Sequence, residues 1–238
     1  MKTKQFGSPR YLGDPLNIIR IFNEKEVDEI VLLDILASKE GRQPNFELLQ
    51  KISGQCFMPI AYGGGINEMA QAEKLFRLGF EKIVLNSALI THPALVTEVA
   101  KRYGSQSVVA SIDAKKKLFG QYEAKTHSGT RATNIDPVSL AQQAVELGAG
   151  EIFINSIDRD GMMQGYDLEL VKRVASTVSV PVVACGGAGV LSHLVEVVRE
   201  AKASAVAAGS FFVYQGVHRA VLISAPTPAE ITRAFGPR

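Results

Sequence analysis

The sequence predicts an α/β protein, a TIM-type (β/α)8 barrel. Three observations carry that expectation. Apolar runs of strand length alternate with longer amphipathic segments, the pattern of the first half recurs in the second, and glycines or aspartates stand at the ends of most apolar runs. An open doubly wound sheet would show the same alternation. The internal repeat decides for the barrel.

The apolar runs are Ile30–Ile35, Met58–Tyr62, Ile83–Asn86, Val108–Ile112, Ile152–Asn155, Val180–Ala184 and Ala205–Ala208. Each is apolar on both faces, as a strand buried in a parallel sheet must be. The segments between them open with helix signals. Asp14-Pro15 and Asp136-Pro137 put a capping carboxylate before a proline, whose missing N–H costs nothing at the first helical position. The TPAE stretch from Thr227 to Glu230 has the spacing of a capping box. In INEMAQAEKLFRLGF, Met69, Leu75, Phe76 and Leu78 fall roughly on one face and the pattern stops at Gly79. Seven strands and about eight helices suit a barrel of roughly 250 residues.

The repeat is specific. MPIAYGGGI (Met58–Ile66) is echoed by VPVVACGGAG (Val180–Gly189), aligning Pro59 with Pro181 and Gly64-Gly65 with Gly186-Gly187. At the same offset of 122 residues, DEIVLLDI from Asp28 is echoed by GEIFINSI from Gly150. One residue further on, IVLNS ending at Ser87 is echoed by VAAGS ending at Ser210. One domain over residues 1–238 follows, made of two half-barrel repeats of about 1–105 and 106–238. SVVASID, the strand ending in Asp113, has no twin, because its counterpart falls upstream of Met1. The expectation is a chain missing the barrel's first strand, through truncation or a misplaced start. A native seven-stranded open sheet is the alternative. Either way the second and eighth strands would be edges, unless Lys2–Phe6 or a partner covers them.

The totals exclude several classes. Lys+Arg 26 against Asp+Glu 24 gives a net charge of +2, which demands neither nucleic acid nor an anionic membrane. Two cysteines, Cys56 and Cys185, do not make a disulfide scaffold, so a cytoplasmic setting is expected. No run reaches membrane-spanning length, and no signal peptide opens the chain. No metal and no cofactor are expected.

Barrel chemistry sits at the C-terminal ends of strands. Standing there are Asp34, then Gly63-Gly64-Gly65, Asn86-Ser87 and Asp113, then Asn155 leading to Asp158, Asp160 and Gly161, and finally Cys185-Gly186-Gly187 and Gly209-Ser210. Glycines let backbone N–H groups close on an anion, and a neighbouring Asn or Ser adds a donor. Each half supplies one such set: Gly64 and Gly65 with Asn86 and Ser87, and Gly186 and Gly187 with Gly209 and Ser210. Two phosphates across one mouth imply an elongated bisphosphorylated ligand; each glycine pair read alone is equally a tightly packed turn. Asp113 follows an apolar strand, and desolvation would tune it for acid/base work. Asp34 and Asp160 are either ligand contacts or caps and salt bridges, and Asp158 with Arg159 reads as a local ion pair or turn. At the strand starts, Glu29, Lys82 and Glu151 are either surface charges or an ion-pair ring plugging the base.

Taken together, GGGI, FEKIVLNSALI, ASIDAKK, GAGEIFINSIDRDG followed by QGYDLEL, CGGAG and the Gly209-Ser210 end resemble the cyclase subunit of imidazole glycerol phosphate synthase (HisF), over essentially the whole chain. The resemblance implies a ribulose-phosphate-binding barrel and a synthase or lyase activity. A HisH-like glutaminase would dock on the N-terminal face and send ammonia through a charged gate to a bisphosphorylated ribulosyl or phosphosugar substrate. Carried over, Asp113 is one of two catalytic aspartates, and Glu29, Lys82 and Glu151 are three of four gate residues. Gly65, Asn86 and Ser87 would hold one phosphate, and Gly161, Gly187, Gly209 and Ser210 the other. Asp160 would contact substrate, and Lys2 matches a mobile-loop lysine. The other catalytic aspartate and the gate arginine fall upstream of Met1. Asn155, Met162 and Cys185 stand where the cyclase has Thr, Thr and Ser. FFVYQGVHRAVLIS, NEKEVDEIVLLDILASKEGR and the stretch from Lys4 to Pro15 are similar to a paralogous branch associated with glycosyl amidation in bacterial surface-polysaccharide synthesis. That branch implies a separate amidotransferase beside the glutaminase. A genuine histidine-biosynthesis cyclase and a non-catalytic ammonia conduit are the alternatives; the motifs disfavour a phosphosugar isomerase.

Overall fold

A computed structural model describes residues 1–216 and 218–236. The chain opens with a hairpin, β1 (Lys2–Lys4) and β2 (Gly7–Arg10), then α1 (Pro15–Glu24). β3 (Ile30–Leu33) passes through α2 (Ala37–Glu40) and α3 (Phe46–Ser53) to β4 (Ile60–Gly63), and α4 (Met69–Arg77) leads to β5 (Lys82–Leu85). α5 (Ala88–Thr91) and α6 (Pro93–Tyr103) lead to β6 (Val108–Lys116), which turns back into β7 (Tyr122–Thr126) and β8 (Arg131–Ala132). Next come α7 (Pro137–Glu146), β9 (Glu151–Ser156), α8 (Leu168–Ala175), β10 (Val182–Cys185), α9 (Leu191–Ala201) and β11 (Ala205–Val206). α10 (Ser210–Val213), a hairpin of β12 (Tyr214–Gln215) and β13 (Ala220–Val221), and α11 (Pro228–Phe235) complete the described chain.

All seven expected strands form, in the order β11-β10-β9-β6-β5-β4-β3, each parallel to its neighbours. This is the parallel sheet with alternating helices of the (β/α)8 barrel fold, and β3 and β11 are its edges among the described residues. The strand limits differ from the apolar runs for physical reasons. Pro59 and Pro181 have no N–H to give the ladder, so β4 and β10 start one residue later; both proline carbonyls still accept, from Ile30 and Ile152 N–H. β3 stops at Leu33 because the Asp34 carboxylate caps α2, accepting from Leu36 and Ala37 N–H at 3.1 Å each. The expected caps Asp14, Asp136 and Thr227 all form, the last as a full capping box. The β1–β2 hairpin does not cover a sheet edge. It lies on the loop after β9, where Gln5 N–H donates to the Asp160 carbonyl at 2.8 Å.

Side chains along each strand alternate between two cores. The outer one, between sheet and helices, takes Ile83, Leu85, Ile112, Ile152 and Ile154. The inner one, enclosed by the curled sheet, takes Ala61, Val84, Val109, Phe153 and Val183, with Val31, Cys185 and Ala207 packed against it. Ile154→Ala, at a fully buried position, should cost about 2–5 kcal/mol in urea unfolding. Phe57→Ser, at an 88% exposed position, should change stability by less than about 0.5 kcal/mol.

Candidate active site

β6 and β9 lie side by side, and their register sets Asp113 opposite Asn155 at the C-terminal end of the sheet. Asp113 is held by two amides. Asn155 Nδ2 donates to Oδ1 at 3.4 Å and Asn86 Nδ2 donates to Oδ2 at 3.3 Å. The carboxyl is 9% exposed and makes no salt bridge with any described residue. Burial therefore dominates and pushes it up to about 7; the Asn155 bond pulls the other way, and the charge of Asp160 adds to the rise. A carboxyl there can both give and take a proton near neutral pH. Burial also pushes the neighbouring Cys185 thiol up to about 12, so it stays protonated at neutral pH.

Glycine turns lie on both sides of Asp113. Each meets a packing demand: a Cβ on Gly65 would lie 2.3 Å from the Arg42 carbonyl, and one on Gly187 2.1 Å from the Gly165 carbonyl. The packed-turn reading is thus correct for both. The same turns leave the N–H groups of Gly65, Gly161, Gly187 and Gly209 without an acceptor among the described residues. The Asn155 Oδ1 and Ser210 Oγ atoms are buried and equally unpartnered there, where buried polar atoms ordinarily pair. The four N–H groups and the Ser210 hydroxyl are therefore donors open to an anion on either side of Asp113, while Asn155 Oδ1, an acceptor, is open to a donor. Asn86 is turned toward Asp113 and the Ser111 carbonyl, while Ser87 Oγ accepts from His127 N–H at 3.3 Å.

Asp160 is buried and tied to the N-terminal hairpin, accepting from Lys2 Nζ at 2.5 Å and from Thr3 Oγ1 at 2.7 Å. The Lys2 stem crosses Gly209, with its Cε 2.7 Å from where a Cβ would stand. Lys2, Asp160, Gly161 and Gly209 thus converge. Asp34 caps α2, pairs with Arg42 at 3.3 Å and packs on the Gly64 turn, where a Cβ would lie 2.5 Å from the Asp34 carbonyl oxygen. Of the two local readings of Asp158 and Arg159 the turn forms, with Arg159 N–H donating to the Ser156 carbonyl at 3.2 Å, and the ion pair does not: Asp158 accepts from Lys116 N–H at 2.8 Å, and Arg159 donates to the Gln164 carbonyl. Neither Thr3 nor the β7–β8 hairpin that brings His127 to Ser87 has a local signature in the sequence.

At the opposite end Lys82 Nζ donates to Glu29 at 2.8 Å and to Glu151 at 3.0 Å. Burial pulls the Lys82 ammonium down, but the two carboxylates more than offset it and hold it above its usual value. The three expected base residues are therefore one cluster. Between it and Asp113 lies the inner apolar core, with Phe153 and Val84 in its wall. No His, Cys, Asp and Glu cluster among the described residues could hold a metal ion, and no described helix is long and apolar enough to cross a membrane.

The Asp113 carboxyl is raised in the folded chain above its ordinary 3.8. Between about pH 4 and 7 the folded chain then binds the extra proton, and stability falls as pH rises through that window. Asp113→Asn should gain stability relative to the parent across this range and hold the gain above pH 7. Urea midpoints at pH 4.5, 6 and 8 measure it; a constant difference would contradict the burial.

Residues 1–219 match the model of a family described as histidine biosynthesis protein. The chain is 52% identical to a Pseudomonas aeruginosa protein provisionally named imidazole glycerol phosphate synthase subunit hisF2, over 95% of this chain and 90% of that protein. It is 44% identical to the Vibrio vulnificus protein provisionally named subunit hisF3, over 99% of this chain and 91% of the other. It is 42% identical to the imidazole glycerol phosphate synthase subunit HisF of Geobacillus kaustophilus, over 90% and 86%.

Proposed function

This chain belongs to the histidine biosynthesis protein family, in its HisF branch, and from that premise we propose that it is an ammonia-using, cyclase-type subunit. Its substrate is bisphosphorylated and ribulosyl-like or a phosphosugar. One observation carries this reading: the buried, cation-free Asp113 stands between the unpartnered Gly65 N–H on one side and those of Gly161, Gly187 and Gly209 on the other, above an apolar core and a charged base. Condensing ammonia with a carbonyl needs protons removed from nitrogen and delivered to the carbonyl oxygen, which leaves as water after the C–N bond has formed. A carboxyl near neutrality can serve both. The donors of Gly65 and Ser87 would hold one phosphate and those of Gly161, Gly187, Gly209 and Ser210 the other, with Lys2 and Asp160 at the second. Glu29, Lys82 and Glu151 would admit ammonia from a HisH-like glutaminase on the N-terminal face.

Within this reading the paralogue that serves glycosyl amidation is favoured over histidine synthesis. Support comes from the 52% identity to the relative named hisF2, against 42% to the HisF of Geobacillus kaustophilus, and from Asn155, Met162 and Cys185 at the mouth. A separate amidotransferase would then receive the product or the ammonia. A second reading, a conduit without chemistry of its own, is favoured by Asp160, whose carboxylate is already taken up by Lys2 and Thr3.

Turnover of the bisphosphorylated ribulosyl intermediate with an ammonium salt tests the proposal. Asp113→Asn should lower that rate by about 100-fold or more. Lys82→Met should spare it while depressing the glutamine-driven rate measured with a glutaminase bound. No turnover in any ammonium assay, together with stimulation of a bound glutaminase, would replace the enzyme reading with the conduit.

A further inference from the structure

The hairpin of β12 and β13 has no part in the reading above, yet its turn reaches the mouth. Arg219 sits in that turn with φ +49°, a region that residues other than glycine seldom enter. Its guanidinium grips two successive carbonyls, Nη1 donating to Gly161 O and Nη2 to Met162 O, both at 3.1 Å. The hairpin's own footing is firm. Leu222 N–H donates to the Val213 carbonyl at 3.0 Å, Ser224 N–H to the Phe212 carbonyl at 2.9 Å, and Arg10 stacks 5.6 Å from the Tyr214 ring centre.

The Gly161 turn is thus held from two directions. On the other side Thr3 O would stand 2.5 Å from any Cβ at Gly161, and Gln5 N–H donates to the Asp160 carbonyl. Met162 N–H is used as well, donating to the Arg159 carbonyl at 3.0 Å. Every carbonyl from Asp160 to Met162 is therefore engaged, and the Gly161 N–H is left without an acceptor among the described residues. Close by stand Gly209, under the Lys2 stem, and Ser210, whose buried Oγ has no partner.

We propose that Arg219 is the positioning residue of the second anion subsite, fixing the Gly161–Met162 turn so that the Gly161 N–H meets a phosphoryl group held also by Gly187, Gly209 and Ser210. The inference rests on the two-anion reading above and adds to it the group that builds one of the two subsites. Arg219 does not touch the anion. Its planar fork presents two N–H-bearing nitrogens at a fixed spacing to the two carbonyls, a geometry that the single nitrogen on a flexible lysine stem does not hold, and bonds accepted from a cation hold the peptides more firmly than neutral ones.

The experiment is a titration of the isotope-labelled chain with inorganic phosphate, following backbone amide shifts. Gly161 and Gly209 report the second subsite, and Gly65 and Ser87 the first, which also serves as the internal control for folding. Arg219→Ala and Arg219→Lys should each weaken phosphate at Gly161 and Gly209 by about tenfold or more, leave Gly65 and Ser87 unchanged, and speed amide exchange at Gly161 and Met162. Full rescue by Arg219→Lys would reduce the role to charge and overturn the positioning claim. Equal weakening at both subsites, or no change at either, would also overturn it. If phosphate moved neither subsite of the parent chain, the two-anion reading itself would fall, and this inference with it. A parent response at both subsites with unaltered Arg219 variants would sink the inference alone.

Discussion

A parallel strand shows every second side chain to the same face, and the layering of the barrel interior follows from that constraint. Glu151, Phe153 and Asn155 are successive inward steps of β9, and Lys82, Val84 and Asn86 are the matching steps on and just beyond β5. Charge at the bottom, hydrocarbon in the middle and amides at the top come from the same alternation repeated along the sheet. A slip of one residue in β9 would turn Ile152 and Ile154 inward and expel Asn155 from the mouth. Helix packing against Ile152 and Ile154 therefore secures the chemistry on the opposite face.

The top layer carries a cost that the rest of the fold must meet. Burying a carboxyl without a cation is unfavourable for its charged form, and Asp113 has only amides of Asn155 and Asn86 for support. The outcome is a proton held near neutrality rather than a salt bridge. Around it the chain spends both of its ends on a single loop. The N-terminal hairpin ties down Asp160, and the C-terminal hairpin ties down Gly161 and Met162. Elements at opposite ends of the sequence thus fix one turn after β9, which shows how much the mouth depends on that turn's shape.

Much of this was legible in the sequence, and the exceptions have physical causes. The seven parallel strands announce themselves because burial on both faces requires continuous apolar runs. The caps at Asp14, Asp136 and Thr227 are local hydrogen bonds, so local sequence suffices for them. The base cluster of Glu29, Lys82 and Glu151 was visible as charge before three apolar runs, though the runs alone left a surface role open. β7 was missed because Glu123 and Lys125 look like loop residues; in the folded chain Glu123 is buried and paired with Lys125 at 2.6 Å. Asp34 shows the opposite limit: at the end of an apolar run it resembles a site residue, while its two N–H donors make it a cap. Arg219 lies 58 residues beyond Gly161, and no local pattern connects them.

The central claim is that one ligand spans two anion subsites across a buried, protonatable Asp113. Calorimetric titration with the bisphosphorylated ribulosyl intermediate and with each of its monophosphate halves tests it most directly. One equivalent of the bisphosphate should bind at least about 100-fold more tightly than either half, since linked contacts combine their free energies. Equal affinities for the bisphosphate and one of its halves would contradict the claim.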